Sequence, residues 1–305
     1  MKPFIRLAAL FLAVLLAACG GGTSQIQAFV PDRILVFGDE HSSFTADGRK
    51  YSINALKADG SVDCEGNPLW IQSVAVAYGY VFAQCQGTAT QARAVTRAAP
   101  GATVADVRAQ IDAQAALGFT GKDLVLMMAG LNDVLQIYAA RTAADTEETL
   151  LARARERGVA MAGEVNRVVA LGAKVVVATA PDVGITPWGV ARGAADAALL
   201  TRLSAAFNGR LRVNILNDGR FVGLVLADET LQSAVQVPAA FGLTNATAAA
   251  CKDSVPLPGC GADAASLVDG ASATTWAWAD GQHFGPTLHR QIGVIAASRA
   301  QTNPF

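Results

Sequence analysis

Short apolar runs that each end near a turn-forming residue recur along this chain at helix-sized intervals, and this alternation restricts the fold more than any other feature of the sequence. Ile34-Leu35-Val36-Phe37 stops at Gly38-Asp39, Asp123–Ala129 (DLVLMMA) stops at Gly130, and Lys174–Ala178 (KVVVA) stops shortly before Pro181-Asp182. Phe221–Leu226 (FVGLVL) is a fourth such run, and Arg93–Arg97 (RAVTR) is a candidate for one more strand. Unbroken hydrophobicity over so few residues marks strands covered on both faces, as in parallel sheets. The stretches between them have helical length. Pro68–Gly79 carries Pro near its start and Gly at its stop. Thr103–Ala115 sets Val104, Val107 and Ile111 on one face behind Thr103 as N-cap. Thr146–Leu171 opens on Glu147 and Glu148 and closes at Gly172, with Gly158 and Gly163 as points of interruption. Ala194–Leu216 and Pro286–Arg299 complete the set. Strands alternating with helices predict parallel βαβ units, and right-handed crossovers place helices on both faces. The expected fold is an α/β three-layer α/β/α sandwich with a mostly parallel central sheet.

The first residues are not part of that fold. Lys2 and Arg6 precede an apolar run, Leu7–Leu16, that is too short to span a bilayer, followed by small residues. This is the pattern of a secretory leader over residues 1–18. Leu16-Ala17-Ala18-Cys19 resembles a bacterial lipobox, which implies lipidation of Cys19, and Gly20-Gly21-Gly22-Thr23-Ser24 reads as a flexible tether within residues 19–31. Residues 32–305 are then one domain in the cell envelope, held to a membrane through the lipid, with the outer membrane, facing the periplasm or the cell surface, as the expected place.

Setting Cys19 aside leaves Cys64, Cys85, Cys251 and Cys260, an even number in an exported chain, so disulfides are expected. Of the three connectivities, the sequence-local one, Cys64 with Cys85 and Cys251 with Cys260, closes each loop within one loop-rich region. His41, His283 and His289 do not fall at zinc-ligand spacing from any cysteine, which disfavours a structural metal. The formal charge of −1 offers no basic field for nucleic acid.

Three short blocks carry chemistry. Phe37-Gly38-Asp39-Glu40 follows the first strand, Gly130-Leu131-Asn132-Asp133 follows a central one, and Asp280-Gly281-Gln282-His283 lies near the C-terminal end of the sequence. In a doubly wound sheet, ligands bind where strands end, so the first two blocks stand at an expected site. An amide such as Asn132 can point N–H at a developing oxyanion, and a carboxylate three residues before an imidazole can orient it. Together the blocks resemble those of the GDSL, or SGNH, family of ester hydrolases, whose first block reads F-G-D-S-L-S-D with Ser as nucleophile. The likeness extends to PDVGITP (Pro181–Pro187), LSAAFNGRL (Leu203–Leu211), PAAFGLTNATAAAC (Pro238–Cys251) and WAWADGQHFGPTLHRQIG (Trp276–Gly293), and it is to the extracellular or outer-membrane branch. It implies an SGNH-like, flavodoxin-like sandwich, His283 as general base, Asp280 as its orienter, Asn132 as an oxyanion donor and no cofactor. A backbone N–H from a Gly is also implied. Thr90-Gln91-Ala92-Arg93 holds no Gly, and Gly101 is available, although ordinary loop duty is its favoured reading.

Glu40 stands where that family has its Ser. A carboxylate there can attack an ester only to form an anhydride, and beside His283 it would hold the imidazole protonated and unable to act as base. Three expectations follow. The favoured one is a non-catalytic or altered member that keeps a pocket for an acyl ester or glycan. The second is an active esterase using Ser42 or Ser43 with His283 and Asp280, where Ser43 would share a helical face with position 40; both serines also suit plain first-turn hydroxyls. The third is Glu40 as general base on a water, tuned by His41, which otherwise reads as a solvated loop residue. Trp70 is expected in the core or pocket wall, and His289 as a structural or pocket residue.

Overall fold

The structure is a computed structural model that describes residues 29–85, 92–216 and 219–302. The expected leader, Cys19 and the tether up to residue 28 lie outside the described residues, as do Thr90 and Gln91. In chain order the elements are β1 (Arg33–Gly38), β2 (Ala55–Leu56), β3 (Val62–Asp63), α1 (Trp70–Ala77), β4 (Ala94–Thr96), α2 (Val104–Ala115), β5 (Asp123–Met128), α3 (Leu131–Ala139) and α4 (Glu147–Ala170). They continue with β6 (Lys174–Ala178), α5 (Pro187–Val190), α6 (Ala194–Asn214), β7 (Val222–Val225), α7 (Ala227–Gln236), β8 (Asn245–Ala249), β9 (Trp276–Trp278) and α8 (Pro286–Thr302). Among the described residues, the central sheet has five strands in the order β4-β1-β5-β6-β7, each neighbouring pair parallel. The α/β fold with a parallel central sheet and flanking helices is the one expected.

Alternation along the strands explains the layers. Ile34, Val36, Leu124, Leu126, Met128 and Val176 point to one side, where they meet Trp70, Ile71 and Val74 of α1 with Leu288 and Ile292 of α8. Leu35, Phe37, Val125, Met127, Val175 and Val177 point to the other, onto Val107 and Ile111 of α2, Met161 and Val165 of α4, and Phe207 of α6. Each such side chain, fully removed from water, contributes about 1.5–3 kcal/mol. Trp70 is therefore core: its ring is fully buried.

Local signals set several helix starts. Thr103 caps α2, with its N–H and hydroxyl both donating to Asp106 Oδ2 at 2.9 and 2.8 Å. Thr146 Oγ1 accepts from the Thr149 N–H at 3.2 Å and starts α4. The glycines expected to interrupt α4 do not. At Gly158 a Cβ would stand 2.1 Å from the Phe207 carbonyl oxygen, so this glycine lets α6 pack closely against a continuous helix. Helices α3, α5 and α7 are additions to the sequence reading. The first begins directly after Gly130, and the last carries Asp228 and Glu229 in its first turn. Disulfides join Cys64 to Cys85 and Cys251 to Cys260, the expected pairing.

Candidate active site

β1 hydrogen-bonds to β4 on one side and β5 on the other, so the chain leaving its carboxyl end crosses to one side of the sheet and then to the opposite side. This reversal leaves a crevice at the strand ends. Gly38 closes β1 there because nothing larger fits: a Cβ would meet the Met128 carbonyl oxygen at 2.0 Å. Gln110 of α2 pins the same residue, accepting from its N–H at 2.8 Å and donating to its carbonyl at 3.0 Å. Asp39 then caps a single 3₁₀ turn, Glu40–Ser42, by accepting the His41 N–H at 3.1 Å.

Three distant segments converge on the Glu40 carboxylate. The Gly101 N–H, in the loop before α2, donates to Glu40 Oε2 at 2.9 Å, and Asn132 Nδ2, in the first turn of α3, donates to the same oxygen at 2.9 Å. The other oxygen, Oε1, lies 3.4 Å from His283 Nε2. On the far side of its ring, His283 Nδ1 is 2.8 Å from each carboxylate oxygen of Asp280. Asp280 is held in turn by the N–H groups of Gln282 and His283, both at 2.8 Å. Two N–H donors thus meet at one oxygen, and a carboxylate–imidazole–carboxylate row runs away from it. The residues singled out from sequence, Glu40, Asn132, His283 and Asp280, are brought together. Gly101, whose φ is +75, joins them through its N–H.

The electrostatics follow from this packing. Burial alone would lower His283, but its contacts with Asp280 and Glu40, and their charges, outweigh burial and bring it up to about 10. Burial would raise Glu40, yet the close approach of His283 and the attraction of His41 and His283 bring it down to about 2. Burial also works against the charged form of Asp280, and the bond with His283 overcomes it, leaving the carboxyl below its ordinary value. All three groups are therefore charged at neutral pH.

The neighbours are less as the sequence suggested. His41 is not a solvated loop residue; it is fully buried, with its ring 4.1 Å from that of Phe284 and its Nδ1 3.2 Å from Asp39 Oδ1. Ser42 Oγ accepts from Trp70 Nε1 at 3.0 Å, and Ser43 Oγ donates to the Glu40 carbonyl at 3.4 Å. Since the segment is one 3₁₀ turn, with Ser43 already extended, the helical face expected to join Ser43 to position 40 does not form. His289 is buried in α8 and accepts the Trp70 N–H at 3.4 Å through Nδ1; burial holds it well below the ordinary imidazole value. Tyr51, whose ring centroid is 6.1 Å from that of His283, was missed, and no motif marks it. The sequence marks Asp133 only as part of its block. It is fully buried, accepts the Val104 N–H at 3.0 Å, and is raised by burial to about 6.

The family model of the GDSL-like lipases and acylhydrolases matches residues 34–294, and the chain belongs to that family. Several solved structures are similar to it at low identity. An α/β hydrolase, LAE5, from the metagenome of Lake Arreo is 14% identical over 89% of this chain and 96% of its own, with a TM-score of 0.47. The acetylxylan esterase Axe2 from Geobacillus stearothermophilus is 13% identical over 89% and 95%, with a TM-score of 0.45. A lipase/acylhydrolase from Enterococcus faecalis is 14% identical over 87% and 93%, with a TM-score of 0.40. No curated protein matches the chain.

Proposed function

We propose that this chain is a lipid-anchored envelope protein of the GDSL family in which Glu40 has replaced the nucleophilic Ser and disarmed the site as a carboxylic-ester hydrolase, while a pocket for an acyl ester or glycan persists around it. One observation carries the reading: Glu40 Oε2 takes both the Gly101 N–H and the Asn132 amide. Those are the donors that a substrate carbonyl would need as it becomes an oxyanion. The side chain thus fills the hole with an anion of its own. His283, paired with Glu40 on one side and Asp280 on the other, is held protonated and has no lone pair with which to serve as base. Ser42 and Ser43 are engaged with Trp70 and the Glu40 backbone, which argues against either as a substitute nucleophile. The envelope assignment rests on Leu16-Ala17-Ala18-Cys19.

The test is Glu40→Ser. Wild type is expected to leave p-nitrophenyl acetate intact and the variant to hydrolyse it. Labelling of Ser42 or Ser43 in wild type by a fluorophosphonate would defeat the reading.

A further inference from the structure

A carboxylate disarmed toward esters is still a nucleophile toward saturated carbon. Glu40 is placed as one: Oε2 is clamped by Gly101 and Asn132, and Oε1 lies beside the imidazole of His283. Residues beside the carboxylate reach solvent: Gly101 is exposed and Asn132 and Tyr51 are half-buried, while the carboxylate itself is nearly covered. We propose that this site opens epoxides, with Glu40 as the attacking group and His283 as proton donor and then base. The inference goes beyond the preceding reading, which concerns carboxylic esters.

The chemistry balances on residues already in place. Glu40 Oε1 attacks one ring carbon, the ring C–O bond breaks toward oxygen, and that oxygen takes the proton on His283 Nε2. The products are a hydroxyalkyl ester of Glu40 and a neutral imidazole. Esterification also removes one of the two negative charges that kept His283 protonated, so the ring becomes a competent base when one is needed. It then takes a proton from water as the water oxygen adds to Glu40 Cδ. The negative charge that forms sits on Oε2, which already receives the Gly101 and Asn132 N–H groups. Collapse breaks the bond from Cδ to Oε1. One proton of the water ends on the departing alcohol and the other on His283, and the carboxylate–imidazolium pair is restored. The net reaction is epoxide plus water to diol.

An epoxide fits better than an alkyl halide because its leaving oxygen needs a proton, and the donor here stands next to the nucleophile. It also suits a carboxylate of low basicity, because ring strain assists the displacement.

The mechanism predicts where oxygen goes. The diol keeps the old Oε1, and Glu40 gains the oxygen of water. Full-length protein is incubated with styrene oxide or cyclohexene oxide in water labelled with heavy oxygen, then digested, and the peptide holding Glu40 is weighed. The expected result is diol together with heavy oxygen in that peptide. Glu40→Gln should abolish both while its circular dichroism stays that of wild type, and His283→Gln should slow turnover by about a hundredfold or more. Absence of diol from both epoxides overturns the proposal. So does diol formed with Glu40 unlabelled, which would mean that water attacks the ring directly. If Glu40→Ser gains p-nitrophenyl acetate hydrolysis while wild type ignores both epoxides, the disarmed-esterase reading stands and this one falls.

Discussion

Glu40 and His283, which stand near opposite ends of the domain sequence, meet with Oε1 3.4 Å from Nε2, and each keeps the other charged. The consequence for stability has a definite sign. His283 titrates at about 10 in the fold against an ordinary 6.5, so its contribution is complete below 6.5 and is lost as pH rises toward 10. Glu40 titrates at about 2 against 4.5, so its contribution is complete above 4.5 and is lost as pH falls toward 2. Lys50 acts in the opposite sense on the alkaline side: burial brings it to about 8 from 10.5, and stability from this group rises across that interval. Comparing wild type with Glu40→Gln cancels Lys50. The melting-temperature advantage of wild type is expected to be largest between pH 4.5 and 6.5 and to shrink toward pH 10. An advantage that does not change with pH would show that the two residues are not coupled.

The two donors on Glu40 Oε2 should become useful once the carboxylate is gone. In a Glu40→Ser background, Asn132→Ala is expected to lower kcat for p-nitrophenyl acetate by about 10²–10³ with little change in KM, the loss typical of one oxyanion donor. Stopped-flow hydrolysis measures it. A variant that changes KM alone would place Asn132 in substrate binding and not in charge stabilisation.

Lys50 is a separate, structural case. Its ammonium is fully buried and donates to the carbonyls of Cys64, Gly66 and Asn67, shaping the loop that leads into α1. Lys50→Met keeps the length of the side chain and strands those oxygens. Relief of a desolvated charge offsets part of the cost, and a net loss of about 3 kcal/mol is expected in urea unfolding. An unchanged midpoint would mean that water replaces the ammonium without strain.

Much of this was readable in advance, for physical reasons. Strands β5 and β6 announce themselves because both faces are covered, so every residue after the opening Asp123 or Lys174 is apolar. The disulfides were legible because each closes a short local loop. His283 and Asp280 lie in one block whose spacing alone brings them together. What could not be read depends on contacts across the fold. Gly101 reaches Glu40 only because the loop after β4 folds over the end of β1, and its neighbours in sequence give no sign of that. His41 looked solvated because a lone polar residue beside a turn usually is; its burial arises from Phe284, far away in sequence. Helix α3 was hidden because Asn132 and Asp133 are turn formers by composition, whereas in the fold they meet tertiary partners, Glu40 and the Val104 N–H, while Leu131, Val134 and Ile137 bury the face of the helix.

Two glycines at the site separate steric need from backbone conformation. Gly38→Ala would drive a Cβ to 2.0 Å from the Met128 carbonyl oxygen, and neither partner can yield, because both belong to paired strands and Gln110 pins Gly38. The strands must part at the point from which Glu40 is aimed. Gly101→Ala meets nothing within 4 Å, but it must hold φ near +75, which costs an alanine about 1–2 kcal/mol. Gly38→Ala is therefore expected to lose several kcal/mol, more than overpacking of a yielding core would cost. It should disorder the site, whereas Gly101→Ala stays folded with a modestly lower melting temperature. Circular dichroism melts together with the imidazole resonance of His283 distinguish them. In Gly101→Ala that resonance should still report a protonated ring at neutral pH, because the contacts to Asp280 and Glu40 survive; in Gly38→Ala it should titrate nearer the ordinary value as the Glu40 contact is lost. If Gly38→Ala proved as stable as wild type, the close approach of β1 to β5 could not be what sets the position of Glu40.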